Sequence, residues 1–234
     1  MICASTGSVP AMSDFSEVEI NAIYRVIAER RDMRHFLPDA LDEALLGRLL
    51  GAAHLAPSVG FMQPWRFLRI RDRGLRRSIH ALVEAERVAT ARALGEREQE
   101  FMRLKVEGVL ECGELLVVSL VAGREAHVFG RRTLPEMDLA SAACAIQNLW
   151  LAARAEGIGM GWVSMFDPEA LRELLRQPLG SRPIAILCLG HVAAFYTRPM
   201  LEEQNWAKRC ELRSVVADCW GDAPAEGSSS PGQS

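Results

Sequence analysis

Lysine is almost missing from the 234 residues: only Lys105 and Lys208 occur, and arginine supplies the remaining positive charge. No block of basic residues stands anywhere and the net charge is -3, which argues against a nucleic-acid surface. No apolar run reaches membrane-spanning length, so no membrane partner is expected. The six cysteines (Cys3, Cys112, Cys144, Cys188, Cys210, Cys219) form no C-x-x-C pair, and the five histidines (His35, His54, His80, His127, His191) show no ligand spacing. A metal site is therefore not expected. The opening residues carry neither a positive n-region nor an apolar h-region, so the reading is a cytoplasmic chain with reduced thiols. Internal repeats are absent too. What is present, 49% hydrophobic residues over this length, suffices for one domain with a substantial core.

Residues 1–15 read as a flexible arm, and 221–234, "DAPAEGSSSPGQS" and its flank, as a disordered tail. The domain spans 16–220. Ser16-Glu17-Val18-Glu19 is a capping-box pattern, followed by Ile20, Ile23, Tyr24 and Ile27 on one helical face. A second helix is predicted over 39–56 with Leu45, Leu49 and Leu50 inward, ahead of the loop "APSVGFMQPWRF". Phe67–Arg71 reads as a strand. Residues 74–107 read as helical and charge-rich, with an exposed excursion over about 88–107. Glu114–Ala122 is a buried strand. Asp138–Glu156 is the strongest helix, apolar on one face and small-residued on another (Ala140, Ser141, Cys144, Ala145), with Gly157 suited to its C-cap. The small face fits either the core or a dimer interface. "GMGWVSMF" and "PIAILCLGHV" are strands on either side of a helix that Asp167 and Pro168 open. An irregular arm follows over 193–220. Without βαβ alternation the fold class is α+β, a mixed central sheet flanked by helices.

The stretch "RRDMRHF" sets Asp32 among Arg30, Arg31 and Arg34. Two readings stand open for the arginines: cations complementing a helix C-terminus, or forked donors held for a phosphate. If the arginines pair with Asp32, its carboxyl should be lowered and become a poor base. "GIGMG" follows a helix and enters a strand, which is the wrong order for a dinucleotide fingerprint. Its glycines are expected to let a flat ligand approach the backbone. Ser164 has no nucleophile-elbow context, and Trp65, Trp150 and Trp162 read as core.

Taken together, "RRDMRHF", "APSVGFMQPWRF", "GRRTLPEMDLASAACAIQNLWLAARAEGIGMGWVSMF" and "FYTRPMLE" resemble the flavin-binding nitroreductase superfamily. Within it they are similar to the BluB-type 5,6-dimethylbenzimidazole synthases, chiefly through Asp32 where a hydroxyl residue is usual. The resemblance covers roughly residues 20–209. It implies a nitroreductase-like homodimer with FMN at the interface. The implied cofactor-binding residues are Arg30, Arg31, Asp32, Met33, Arg34, Ser58 from the partner chain, Lys105 in the lid, Gly161, Ser164 and Met165. Arg198 and Arg209 would add phosphate contacts. The implied chemistry consumes reduced FMN and dioxygen, with Asp32 as base and Ser164 positioning the ring. NAD(P)H would enter only through a separate flavin reductase. Alternatives are an ordinary NAD(P)H-dependent nitroreductase or flavin reductase, and a non-enzymatic flavin-sequestering dimer.

Overall fold

The computed structural model describes residues 14–219. Residues 1–13 and 220–234, which hold most of the expected arm and all of the expected tail, lie outside the described residues. The chain divides into a unit ending at Phe195 and a second beginning at Tyr196.

The larger unit is built on four strands: β1 (Trp65–Arg69), β2 (Glu114–Leu120), β3 (Gly159–Val163) and β4 (Arg182–Gly190), in the order β1-β2-β4-β3. All three pairings are antiparallel, with a register shift between Val118 and Ser119. The expected mixed sheet is thus antiparallel in its strands. Its parallel component is a single bridge between Asp32 and Met160. β2 is buried at every position because both of its faces are covered. Leu116, Val118 and Leu120 join a cluster with Leu49, Ala53, Ile146 and Leu149. Leu115 and Val117, pointing the other way, join Ile79, Val83 and Leu171. Helices α2 (Glu43–His54) and α5 (Met137–Ala155) therefore cover one face, and α3 (Arg73–Ala93) and α6 (Pro168–Leu174) the other.

Local signals behave as their chemistry dictates. Ser16 and Glu19 form a reciprocal capping box at the start of α1 (Glu17–Glu29). Asp42, Asp72 and Asp167 cap α2, α3 and α6 by accepting backbone N–H bonds. Gly157, at φ +74°, ends α5 in a Schellman arrangement: its amide donates to Arg154 and that of Ile158 to Ala153 at 2.8 Å.

Burial sets two segments apart. Among the described residues no residue of α1 is buried, and Ile20, Ile23, Tyr24 and Ile27 on its apolar face are all exposed. The 88–107 excursion, expected to be exposed, is partly buried. After α3 the chain makes α4 (Glu98–Arg103), buries Phe101 and Leu104, and is pinned by Arg87, whose Nη2 donates to the Met102 carbonyl at 2.7 Å. Among the described residues no helix is long and apolar enough to cross a membrane.

The described residues of the second unit carry one short helix, α7 (Met200–Glu203), and a 3-10 turn at Leu212–Ser214.

Candidate active site

Where α1 ends, Arg30 turns the chain to extended geometry (φ -60°, ψ 132°) and the next residues run alongside β3. The Met33 amide donates to the Met160 carbonyl at 2.9 Å, and the Leu37 amide to the His191 carbonyl at 2.8 Å. This brings Asp32 against the Trp162 backbone, whose N–H donates to Asp32 Oδ1 at 3.0 Å. Asp32 Oδ2 is ion-paired with Arg34 Nη2, and the same Nη2 donates to the Trp162 carbonyl at 3.0 Å. A carboxylate, a guanidinium and the backbone of one residue of β3 thus close a ring of hydrogen bonds. Arg34 is buried, while the Asp32 side chain keeps 41% of its surface exposed.

The expectation that a paired Asp32 has a lowered pKa is corrected here. Loss of hydration pushes its carboxyl above the ordinary range, outweighing Arg34, the Trp162 amide and Arg30, which all pull it down. Such a carboxylate is a better proton acceptor near neutral pH than a solvated one.

Gly161 is required by the chain itself. A Cβ there would lie 2.3 Å from the Met33 carbonyl oxygen and 3.4 Å from Asp32 Oδ1. A Cβ on Gly159 would meet Val192 Cγ1 at 2.4 Å. The close approach foreseen from the glycines is real, but residues 32–34 and 192 make it.

The arginines divide into different tasks. The Arg30 guanidinium lies over the Trp150 ring, 4.5 Å from its centroid. Arg31 Nη1 donates to the carbonyls of Ala28 (2.7 Å) and Arg30 (2.8 Å), satisfying the end of α1 as the dipole reading predicts. Its own carbonyl accepts from Trp150 Nε1 at 3.2 Å. Met33 is buried to 1% exposure, so only its backbone borders the site.

Ser164 is exposed and follows β3, two residues beyond Trp162 on the edge that Asp32 touches; Met165 beside it is half-buried against the α3/α6 core. Ser58 opens a 3-10 turn (Val59–Phe61) and accepts from the Gln63 amide at 3.1 Å. That loop is anchored to α5 by Val59 N–H on Ser141 Oγ, 3.0 Å, and holds Gly60, Phe61 and Gln63 at positive φ. Nothing brings Ser58 to Asp32 within the chain. Lys105 is likewise engaged elsewhere, its ammonium 3.1 Å from Glu107 and 2.8 Å from Glu111. Arg198 and Arg209 belong to the second unit, where their amides each donate to a glutamate, Glu203 and Glu202.

The model of the Nitroreductase family matches residues 27–191. The chain belongs to the nitroreductase family. The matched span takes in the whole Asp32 corner, the Ser58 loop and β3, and stops short of Arg198 and Arg209. The chain is 43% identical over 183 residues to a 5,6-dimethylbenzimidazole synthase of Rhodospirillum rubrum, covering 77% of this chain and 86% of that protein. It is 37% identical to one of Rhodobacter capsulatus, covering 82% and 94%. Among solved structures, an iodotyrosine deiodinase bound to FMN and 3-iodo-L-tyrosine superposes with TM-score 0.65 at 23% identity, over 81% of this chain and 96% of that one. Nitroreductase A of Vibrio parahaemolyticus gives 0.64 at 21%, over 85% and 75%. At those identities the two structures speak for the fold alone.

Sequence reasoning missed three contributors. Trp150 and Arg154 fix the end of α1 from α5: Trp150 as described, and Arg154 by donating Nε to the Glu29 carbonyl (3.2 Å) and pairing with the Glu29 carboxylate. Trp162 contributes through its backbone, which no side-chain pattern reveals.

Proposed function

We propose that this chain is a 5,6-dimethylbenzimidazole synthase, fragmenting reduced FMN with dioxygen to the benzimidazole and erythrose 4-phosphate, in the cytoplasm. The observation that carries the reading is Asp32: an acid with one open edge, its carboxyl raised, fixed between Arg34 and the Trp162 amide. The relatives named 5,6-dimethylbenzimidazole synthase support it from the whole sequence.

The residues suit a flavin phosphate and ring. Arg30 presents a guanidinium that Trp150 holds in place, and the Ser58 loop sets out Phe61, 81% exposed. The open face of α1, with exposed Leu139 and Met137 on α5, gives a second copy of the chain a surface to cover. On this reading the dimer brings each Ser58 loop to the other protomer's Asp32 corner. Reduced flavin, supplied by a separate NAD(P)H-using reductase, brings the electrons that activate dioxygen.

The chain's own part is to bind, orient and accept a proton. Each Asp32 oxygen already takes one donor, Oδ1 from Trp162 and Oδ2 from Arg34, and keeps a further lone pair for a proton from the ribityl chain. The Ser164 hydroxyl, exposed beyond β3, serves the polar edge of the ring. General-base help of this kind contributes about 10²–10⁴-fold.

The test is to supply reduced FMN and air and to look for dimethylbenzimidazole by chromatography and mass. FMN returned intact, or rapid NADPH oxidation with an added nitroaromatic, would overturn the reading in favour of a sequestering dimer or a nitroreductase.

A further inference from the structure

A second concave site lies on the larger unit, a cleft of about 790 Å³ whose lining shares no residue with the Asp32 corner. Four arginines border it, Arg71, Arg73, Arg76 and Arg77, with Phe36 as apolar wall and Glu111 as the one lining carboxylate. Glu111 is taken by Lys105 at 2.8 Å, and Arg71 by Glu43 at 2.9 Å. Arg76 is fixed by three backbone carbonyls: Ile70 on Nε (3.0 Å), Cys112 on Nη1 (2.7 Å) and Gly113 on Nη2 (3.3 Å). Those carbonyls are neutral, so its charge stays uncompensated. Arg73 and Arg77 form no ion pair among the described residues.

The placement of these cations opposes helix stability. Arg73, Arg76 and Arg77 stand at i, i+3 and i+4, one face of the first turns of a 21-residue helix. Like charges at that spacing repel, and cations at a helix N-terminus oppose the backbone dipole. Asp72 relieves part of this through its cap on the Leu75 amide at 2.6 Å, but one carboxylate faces three guanidinium groups. An arrangement unfavourable for the fold and concentrated on a concave wall fits an external anion.

We propose that this cleft binds a phosphate-bearing small molecule. Arg73 and Arg77 supply forked donors, Arg76 supplies a fixed charge, and the Phe36 wall takes the apolar part of the ligand. The phosphate group is the shared chemistry; free phosphate and a sugar phosphate are its two sources.

The experiment is calorimetric titration of the flavin-free protein with inorganic phosphate and, in parallel, with erythrose 4-phosphate, at constant ionic strength in chloride. Saturable binding is expected in the native protein and in Arg30→Gln. It should weaken about tenfold or more in Arg73→Gln/Arg77→Gln, the loss of two charge-assisted contacts. Arg73→Lys/Arg77→Lys should recover part of it. Binding of both ligands assigns the phosphate group alone; binding only of the sugar phosphate assigns the ester. Both arginines are exposed, so circular dichroism of the double variant should be native. Binding that does not saturate, that survives in the double glutamine variant, or that is lost in Arg30→Gln instead, overturns the proposal.

Discussion

Among the described residues two aspartates are ion-paired with arginine, and they differ in one respect. Asp138, at the start of α5, accepts Arg124 Nε at 2.7 Å, Arg131 Nη2 at 3.1 Å and the Leu139 amide at 2.6 Å. All three of these charged side chains are buried. Arg124 also reaches the Gly180 carbonyl at 3.0 Å, so the cluster ties the loop after β2 to α5 and to the turn before β4. Asp32 has one guanidinium and one amide, and an open edge. The closed cluster is buried and offers no exposed oxygen edge, so its role is to fasten the fold. The open one keeps an oxygen edge facing outward, and its burial raises the carboxyl without closing it off. Burial with three donors marks Asp138 as structural, and the open edge of Asp32 is what the proposed chemistry would use.

The sharpest way to break that comparison is to remove each acid in turn. Asp32→Asn should cut the rate of reduced-FMN fragmentation by about 10²–10⁴-fold and leave FMN binding measurable; native turnover in single-turnover mixing would remove Asp32 from the chemistry. Asp138→Asn should do the opposite, costing about 3–5 kcal/mol in urea unfolding because two buried guanidinium groups lose their counter-charge. A variant as stable as the parent would show that the cluster fastens nothing.

Gly161→Ala bears on how the open site is kept in register. Its methyl group would collide with the Met33 carbonyl, and about 1–3 kcal/mol of stability should be lost as residues 32–34 shift. Activity should fall further than that loss of folded protein explains; activity that tracks the folded fraction would say that the spacing of Asp32 from β3 does not matter.

The smallest effect is on pH. Because the folded Asp32 carboxyl is raised, the base is protonated, and the rate lost, as pH falls through a value above the ordinary carboxylate range. Arg34→Ala removes a charge that pulls the carboxyl down, so the acid limb of the pH–rate profile should move further up. For folding the sign is reversed: the native state holds this proton more tightly than the unfolded chain. The stability it contributes is therefore present at low pH and declines as pH rises through the raised value. An acid limb at the ordinary position would show that burial does not govern Asp32.

Much of the scaffold was legible because it is local. The capping box at Ser16, the N-cap Asp167, the Gly157 stop and the largely apolar β2 each depend on residues a few positions apart. The acid among arginines was legible as a site for the same reason. Its electrostatics were not, since they come from Trp162, 130 residues away, and from burial that charge counting ignores. The triad around Asp138 escaped because Arg124 and Arg131 lie in an irregular loop, where no periodicity announces which side chains turn inward. The face of α1 was legible as apolar, while what covers it was not, because a pattern reports that a surface wants cover and not which chain supplies it.

That face has a consequence for how the molecule lives in solution. In the proposed dimer, a helix that its capping box and Glu29–Arg154 tether keep formed, and whose isoleucines are exposed, would make stability a matter of mass action. If a second copy covers it, folding and association become one equilibrium, and the unfolding midpoint is expected to climb with protein concentration. The site would then be assembled only above a threshold of its own abundance.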